Sequence, residues 1–425
     1  MRYVTEAQRQ TPIAAETDVV VIGGGFAGIA AAMAAARSGA RVVLVEKQCV
    51  LGGLGTAGLV VIYLPICDGY GRQLIGGLGE ELLKVCAHSG LLNRGTDGAR
   101  TDTSADVYIP KAWREAASLA ERAKRRYAVA YEAAPAMLAL EQAVLGESID
   151  IWYDTVFCGC ATEDQRITHV YVQNKSGRLA IKAKAFVDCS GDADLCYAAG
   201  EETVSDGGNV RSGWYFGADM ASRTMRLHKN TDPRDGSLAE GRRFYRGDSG
   251  SDISQHMIDM HEYIRESSRA YNEAHGAQEI PFLIPTMPLL RMTRRVKSMH
   301  DLTLADVGVW HEGCVAMSGD WRKPALGYSI PLASLHGGRI ANLLVAGRCL
   351  GADGDAWEAL RVIPTCSATG EAAGVAAAEL ARRRCDCVQR LDANRLADML
   401  RARGVLLDPA LLEKIEAGDS ARMPE

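Results

Sequence analysis

Six residues, Gly23-Gly24-Gly25-Phe26-Ala27-Gly28, and the acid Glu46 that lies 18 positions after them have the types and spacing of a diphosphate cradle. Gly23 permits a tight turn, Gly25 lets backbone approach a diphosphate with no Cβ in the way, and Gly28 allows a helix to pack closely on a strand. The Glu46 carboxylate can accept ribose hydroxyls and would repel a 2′-phosphate, which argues against NADP. The elements that must position these groups are legible around them. Asp18-Val19-Val20-Val21-Ile22 is a β-branched run of strand type. Ile29 to Ser38 is Ala-rich and helical by propensity, Gly39 suits its C-terminal cap, and Arg41 to Val45 reads as a second strand. Alone, the glycines would mark only a turn. In this βαβ order, with the helix N-terminus facing an anion, they predict a dinucleotide site.

Glycine-rich stretches elsewhere suggest a ligand longer than NAD. A second cluster, Gly52-Gly53-Leu54-Gly55-Thr56, follows Glu46-Lys47 closely. The segment Phe186-Val187-Asp188-Cys189-Ser190-Gly191-Asp192 is a strand that ends in small residues. A third stretch runs from Asn342 through Gly347-Arg348 to Arg361-Val362-Ile363-Pro364-Thr365 and Thr369-Gly370-Glu371-Ala372-Ala373-Gly374. By pattern, 112–127 reads as a helix, 151–157 and 179–188 as strands, and 205–252, rich in Gly, Asp, Arg and Ser, as loops around a pocket or a mobile segment.

Together these pieces resemble the bacterial FAD-dependent oxidoreductase family of the glutathione-reductase-like flavoproteins. The matching stretches are DVVVIGGGFAGIAAAMAAARSGARVVLVEK, LGGLGTAGLV, VDCSGDADL, LRMTRRV with DLTLADV, and NLLVAGRCLG through LRVIPTCSATGEAAG. The resemblance implies an α/β fold: a Rossmann-like FAD-binding domain, with a parallel sheet plus a β-meander, and an inserted α+β substrate or cap domain. The expected division is an irregular lead-in over 1–17; a discontinuous FAD-binding domain over 18–60, 131–204 and 336–385; a cap over 61–130 and 205–335; and a helical tail over 386–425. Non-covalent FAD is expected to rest on Gly23, Gly25, Phe26, Ala27, Gly28, Glu46, Lys47, Gly52, Gly53, Val156, Ser190, Gly191, Asp192, Gly347, Arg348 and Ile363. The resemblance also implies that the helix beginning near Thr365 aims its N-terminus at the flavin pyrimidine ring, where its dipole would stabilise the charge of the reduced state. For Arg348 and Arg361 alike the alternative is an ion pair with Asp353, Asp355 or Glu358.

Several parts of related machinery are missing. A flavin–dithiol relay needs a cysteine five residues after Cys49, where Leu54 stands. No second GxGxxG follows a strand, so a built-in NAD(P)H domain is not expected, and an external electron donor or acceptor is. No His–Thr–Gly motif suggests a covalent flavin, and Gly351 to Leu360 lacks the histidine often found in this loop of the family. On the substrate side, Arg291, Arg294 and Arg361 are the candidates for catalysis, since guanidinium groups bind carboxylates bidentately and polarise carbonyls. For Arg291, Arg294 and their neighbour Arg295 the alternative is an ion-pair strip with Asp301 and Asp306. His261, His300, His311 and His336 are further acid/base candidates, and Tyr215 is a candidate for stacking near the ring. The expected reaction is hydride exchange between flavin N5 and a small polar organic substrate, carboxylated if the arginines bind it. An NAD-linked Rossmann dehydrogenase and a flavin-binding protein without redox turnover are the alternatives.

Composition narrows the remaining classes. The chain of 425 residues has 48 Lys and Arg against 53 Asp and Glu, so no cationic excess exists to bind nucleic acid or acidic lipid. Twelve cysteines in a chain that can bury its own core suggest reduced thiols and the cytoplasm. The pairs Cys158/Cys160 and Cys385/Cys387 lack the usual zinc spacing, so no metal site is expected. Val19 to Ala36 is uncharged, but its glycine triplet and the preceding Glu16 and Asp18 argue against a membrane segment.

Overall fold

The β-branched runs form a five-stranded parallel sheet in the order Leu343–Val345, Ala185–Asp188, Val19–Ile22, Val42–Val45, Asp150–Trp152. The structure is a computed structural model that describes residues 4–5, 8–64, 66–89, 118, 121, 129–234, 237–382 and 386–414. Four of the five strands, all but the edge strand Asp150–Trp152, are buried on both faces, which is why they read as continuous apolar runs. Strand periodicity divides their side chains between two layers. Val19, Val21, Val42, Leu44, Val187 and Leu344 face the helices Phe26–Arg37 and Ile363–Ala381. Val20, Ile22, Val43, Val45, Phe186 and Val345 face the second sheet, through its Ile167, Val170, Val172 and Ile181.

That second sheet is an antiparallel meander of Val156–Glu163, Arg166–Asn174 and Gly177–Lys182. The expected strands 151–157 and 179–188 each prove to be two elements, one in either sheet. The lead-in is not wholly irregular: Ile13–Glu16 forms a strand parallel to Gly177–Lys182. Likewise 205–252 is not only loop. Ser212–Asp219 and Thr224–Thr231 form a hairpin, joined by Glu279–Leu283 and backed by the helix Gly250–His275. Tyr215, Met260, Ile264 and Leu289 form a separate small core there. The helix expected over 112–127 lies, but for Ser118 and Glu121, outside the described residues.

The C-terminal segment is more than an appended tail. Val388, Leu396, Ala397, Leu400, Val405 and Leu412 belong to the same core as the two long helices. Among the described residues no helix is long and apolar enough to cross a membrane.

Candidate functional site

The strand Val19–Ile22 ends in a turn that only glycine can make comfortably. Gly23 has φ +100° and its N–H donates to the Val45 carbonyl at 2.8 Å. A Cβ on Gly28 would lie 1.7 Å from the Gly23 carbonyl oxygen, so helix Phe26–Arg37 starts hard against the turn. Gly25 differs: it is the N-cap of that helix, no side chain caps it, and a Cβ there would meet nothing within 4 Å. The first N–H groups of the helix therefore face open space with no side-chain partner at the cap, which suits an anionic diphosphate. The second glycine cluster lies directly on the first. Gly52 N–H donates to the Gly24 carbonyl at 2.8 Å, and a Cβ on Gly53 would come within 3.3 Å of Gly25 Cα.

Glu46 is buried at the end of the next strand. Its two carboxylate oxygens accept the N–H groups of Gly24 at 2.6 Å and Gln48 at 2.7 Å. Burial raises its pKa against those backbone N–H groups. Each oxygen keeps a lone pair beyond the N–H it accepts. Lys47 is exposed. Val156 follows Thr155, whose N–H donates to the Glu46 carbonyl at 3.1 Å, so the start of the meander abuts the acid.

The C-terminal glycine stretch closes on the same helix. A Cβ on Gly347 would fall 2.8 Å from the Ala27 Cβ, and Gly347 N–H donates to Thr369 Oγ1 at 3.1 Å. Arg348 donates to the carbonyls of Gly191 at 2.8 Å and Leu290 at 2.5 Å and to Asp192 at 2.7 Å. Its acid partner is thus Asp192, not Asp353, Asp355 or Glu358. Ser190 is held by Asp188, which accepts both its N–H and its hydroxyl. Helix Ile363–Ala381 begins after Val362 with no side-chain cap and with a proline in its first turn, so its N-terminus too retains free donors.

Two of the three arginine candidates come together on Glu358, the ion-pair partner given as the alternative for Arg361, with a third arginine, Arg234, that sequence reasoning missed. Glu358, mostly buried on helix Gly354–Leu360, binds Arg361 at 2.5 and 2.9 Å, Arg291 at 3.1 Å and Arg234 at 2.9 Å. Burial alone would raise the Glu358 pKa, but Arg361 and Arg234 hold it down at about 2. Burial, and repulsion from Arg361 and Arg234, lower the pKa of Arg291. Arg294 is elsewhere: it donates to the Asp192 carbonyl at 2.8 Å and to Asp194 at 2.6 Å, and its guanidinium lies over the Tyr197 ring. Arg295 pairs with Asp301 and Asp353, as the ion-pair alternative anticipated for Asp301.

The other candidates disperse. Tyr215 is buried in the small core and stacks on His228. His336 is buried with Nδ1 on the Gly337 carbonyl, and burial lowers its pKa. His300 and His311 instead meet Asp306. Their spacing in the chain, His-x5-Asp-x4-His, is the sequence signal of that meeting.

A parallel sheet between helices and a meander, with a glycine-lined helix N-terminus open for a diphosphate, defines a dinucleotide-binding α/β flavoenzyme fold. A sequence model of the FAD dependent oxidoreductase family matches residues 18–213 and 214–400, and the chain belongs to that family. It is an FAD-dependent oxidoreductase, with FAD as its cofactor. Among solved structures it is similar to a geranylgeranyl bacteriochlorophyll reductase-like protein from Thermoplasma acidophilum, at 13% identity and a TM-score of 0.45, over 94% of this chain and 90% of that one. It is also similar to the Sdh1 complex of Mycobacterium smegmatis, at 14% identity, TM-score 0.44, over 91% and 72%. A third is the anhydrotetracycline hydroxylase of Streptomyces rimosus, at 12% identity, TM-score 0.39, over 93% and 70%.

Proposed function

We propose that the enzyme exchanges electrons directly between FAD and a small organic anion, with a carboxylate as the recognised group. The observation that carries this reading is the convergence of Arg234, Arg291 and Arg361 on the single carboxylate of Glu358. Three cations against one anion leave a formal excess of two positive charges in a partly buried place, and such an excess recruits an anionic ligand. Arg361 immediately precedes Val362, the cap residue of the Ile363–Ala381 helix. The cluster is thereby fixed to the N-terminal end that the family resemblance directs to the flavin.

Non-covalently bound FAD would rest on the Gly23–Gly28 turn, Glu46, the Gly52-Gly53 strap and the Ser190–Asp192 and Gly347 segments. It supplies two-electron chemistry at N5 when bound. The protein's own part is to bind and orient. Arg291 and Arg361 grip the substrate carboxylate, Arg234 adds charge, and Glu358 holds the three guanidinium groups in register. The Trp321 indole donates to the Glu358 carbonyl at 3.0 Å and positions that helix. We take 205–335 as the cap over the substrate, an external carrier as the electron partner, and the cytoplasm, where thiols stay reduced, as the location. We also take the lineage to be glutathione-reductase-like, on the strength of the fingerprint and the meander.

The test is an anaerobic absorbance titration of the yellow holoenzyme with small mono- and dicarboxylates and with their neutral esters. Carboxylates should perturb or bleach the flavin bands, and the esters should not. An equal response to both, or none to any acid, overturns the anion reading.

A further inference from the structure

We propose that His300, Asp306 and His311 form a binding site for a divalent cation of the zinc class. One ligand atom from each lies within 4.8 Å of the other two. The Asp306 Oδ1 is 2.9 Å from His311 Nε2 and 3.5 Å from His300 Nε2. An ion with bonds of about 2.0–2.2 Å to tetrahedral ligands holds them roughly 3.3 Å apart, so little movement is required. A second observation concerns the bonding of the same atoms. Both Nε2 atoms are shielded from solvent and, although Asp306 Oδ1 lies beside them, neither makes a hydrogen bond of good geometry, a costly state for a buried polar atom that a shared ion would relieve.

The surroundings orient the ligands as metal sites do. The Asp306 Oδ2 accepts the Thr303 N–H at 2.7 Å and the Thr303 hydroxyl at 2.8 Å, which leaves Oδ1 for the ion. The backbone of His300 is tied by its N–H to the Ala333 carbonyl and by its own carbonyl to the Ser334 hydroxyl. The His311 N–H donates to Ser329 Oγ at 2.8 Å. Two neutral imidazoles and one carboxylate match borderline cations such as Zn2+, and the partial exposure of all three residues gives the ion access and room for water as a fourth ligand. The site is independent of the arginine cluster and of the substrate reading.

The test strips the holoenzyme with a chelator and titrates it with Zn2+ and, for its spectrum, Co2+. One ion per chain is expected, with cobalt d–d bands and no thiolate charge-transfer band. His300→Ala and His311→Ala should each abolish stoichiometric binding, and Thr303→Ala should weaken it about 10–100-fold through the loss of orientation at Asp306. All three variants are checked for retained flavin and circular dichroism. A wild-type chain that binds no stoichiometric cobalt overturns the proposal whatever the variants do. So does a thiolate band, or binding that survives in the folded His300→Ala/His311→Ala double variant.

Discussion

Gly370 lies on the backbone of Ala27: a Cβ at position 370 would fall 2.2 Å from the Ala27 carbonyl oxygen. One turn further on, Gly374 stands in the same relation to Ala31, again at 2.2 Å. Two glycines on one face of the C-terminal helix thus let it lie directly on the helix of the diphosphate turn. Because the opposing atoms are backbone, they cannot swing aside. Gly374→Ala is expected to cost about 1–3 kcal/mol as an overpacked contact. Thermal unfolding should show a melting temperature several degrees lower, with FAD lost in the same transition. Gly146→Ala is the control: its Cβ would sit at ordinary contact distance and its φ is −62°, so stability should hold or rise.

Gly25 and Gly28, only three residues apart, should fail in different ways. Gly28→Ala collides with the Gly23 carbonyl and should destabilise the fold itself. Gly25→Ala places a methyl in open space, at the ordinary φ of −70°. The apoprotein should therefore melt where the wild type does. The methyl would occupy the approach of the diphosphate, so the purified Gly25→Ala protein should contain little flavin. Flavin content and apoprotein melting temperature, measured on both variants, separate the two roles. A Gly25→Ala variant as yellow as the wild type would remove the diphosphate from this turn.

The diphosphate turn was legible because every rule that shapes it is local: a buried strand, a φ only glycine tolerates, and a helix start. The inner strands were legible because burial on both faces leaves an apolar run in the chain. Ile13–Glu16 was not, since a short edge strand draws its identity from Gly177–Lys182, far along the sequence. The hairpin 212–231 was hidden by its polar, exposed second strand, where Thr224, Met225 and Arg226 face solvent. Nothing local links Arg234 to Glu358 or Arg348 to Asp192. Those pairs exist only after distant segments meet, so a reading along the chain found Arg291 and Arg361, overlooked Arg234 and grouped Arg294 with the wrong neighbours.

Glu371 should make stability fall as pH rises. It is buried where helix Gly77–Ser89 begins, and accepts the Leu78 N–H at 2.7 Å. Burial raises its pKa from 4.5 to about 7, more than that N–H and Arg403 lower it. The folded state therefore holds a proton that the unfolded chain releases above pH 4.5. Its penalty is absent below pH 4.5, grows through pH 7 and then levels, at an upper bound on the order of 3 kcal/mol. Glu371→Gln, whose carbonyl can still accept from Leu78, should melt higher than the wild type above pH 7 and show no advantage near pH 4. Melting curves across that range check it, and parallel curves for the two proteins would refute it.

The arginine cluster makes the sharpest prediction about substrate. Arg291→Ala or Arg361→Ala removes a charged hydrogen bond worth about 1.5–3 kcal/mol to a carboxylate ligand, so dissociation constants should rise roughly 10- to 100-fold. The flavin spectrum without ligand should be unchanged, because the partner these residues lose is Glu358. Arg294→Ala should leave carboxylate affinity where it was. Its bonds go to Asp192 and Asp194, so it should loosen FAD instead. Arg361→Lys tests geometry against charge: it keeps the cation but not the planar fork, and should show only part of the loss. Ligand titrations followed at the flavin bands, beside the rate of FAD release, read both effects. If Arg294→Ala weakens carboxylate binding as much as Arg361→Ala does, the recognition site is not at Glu358.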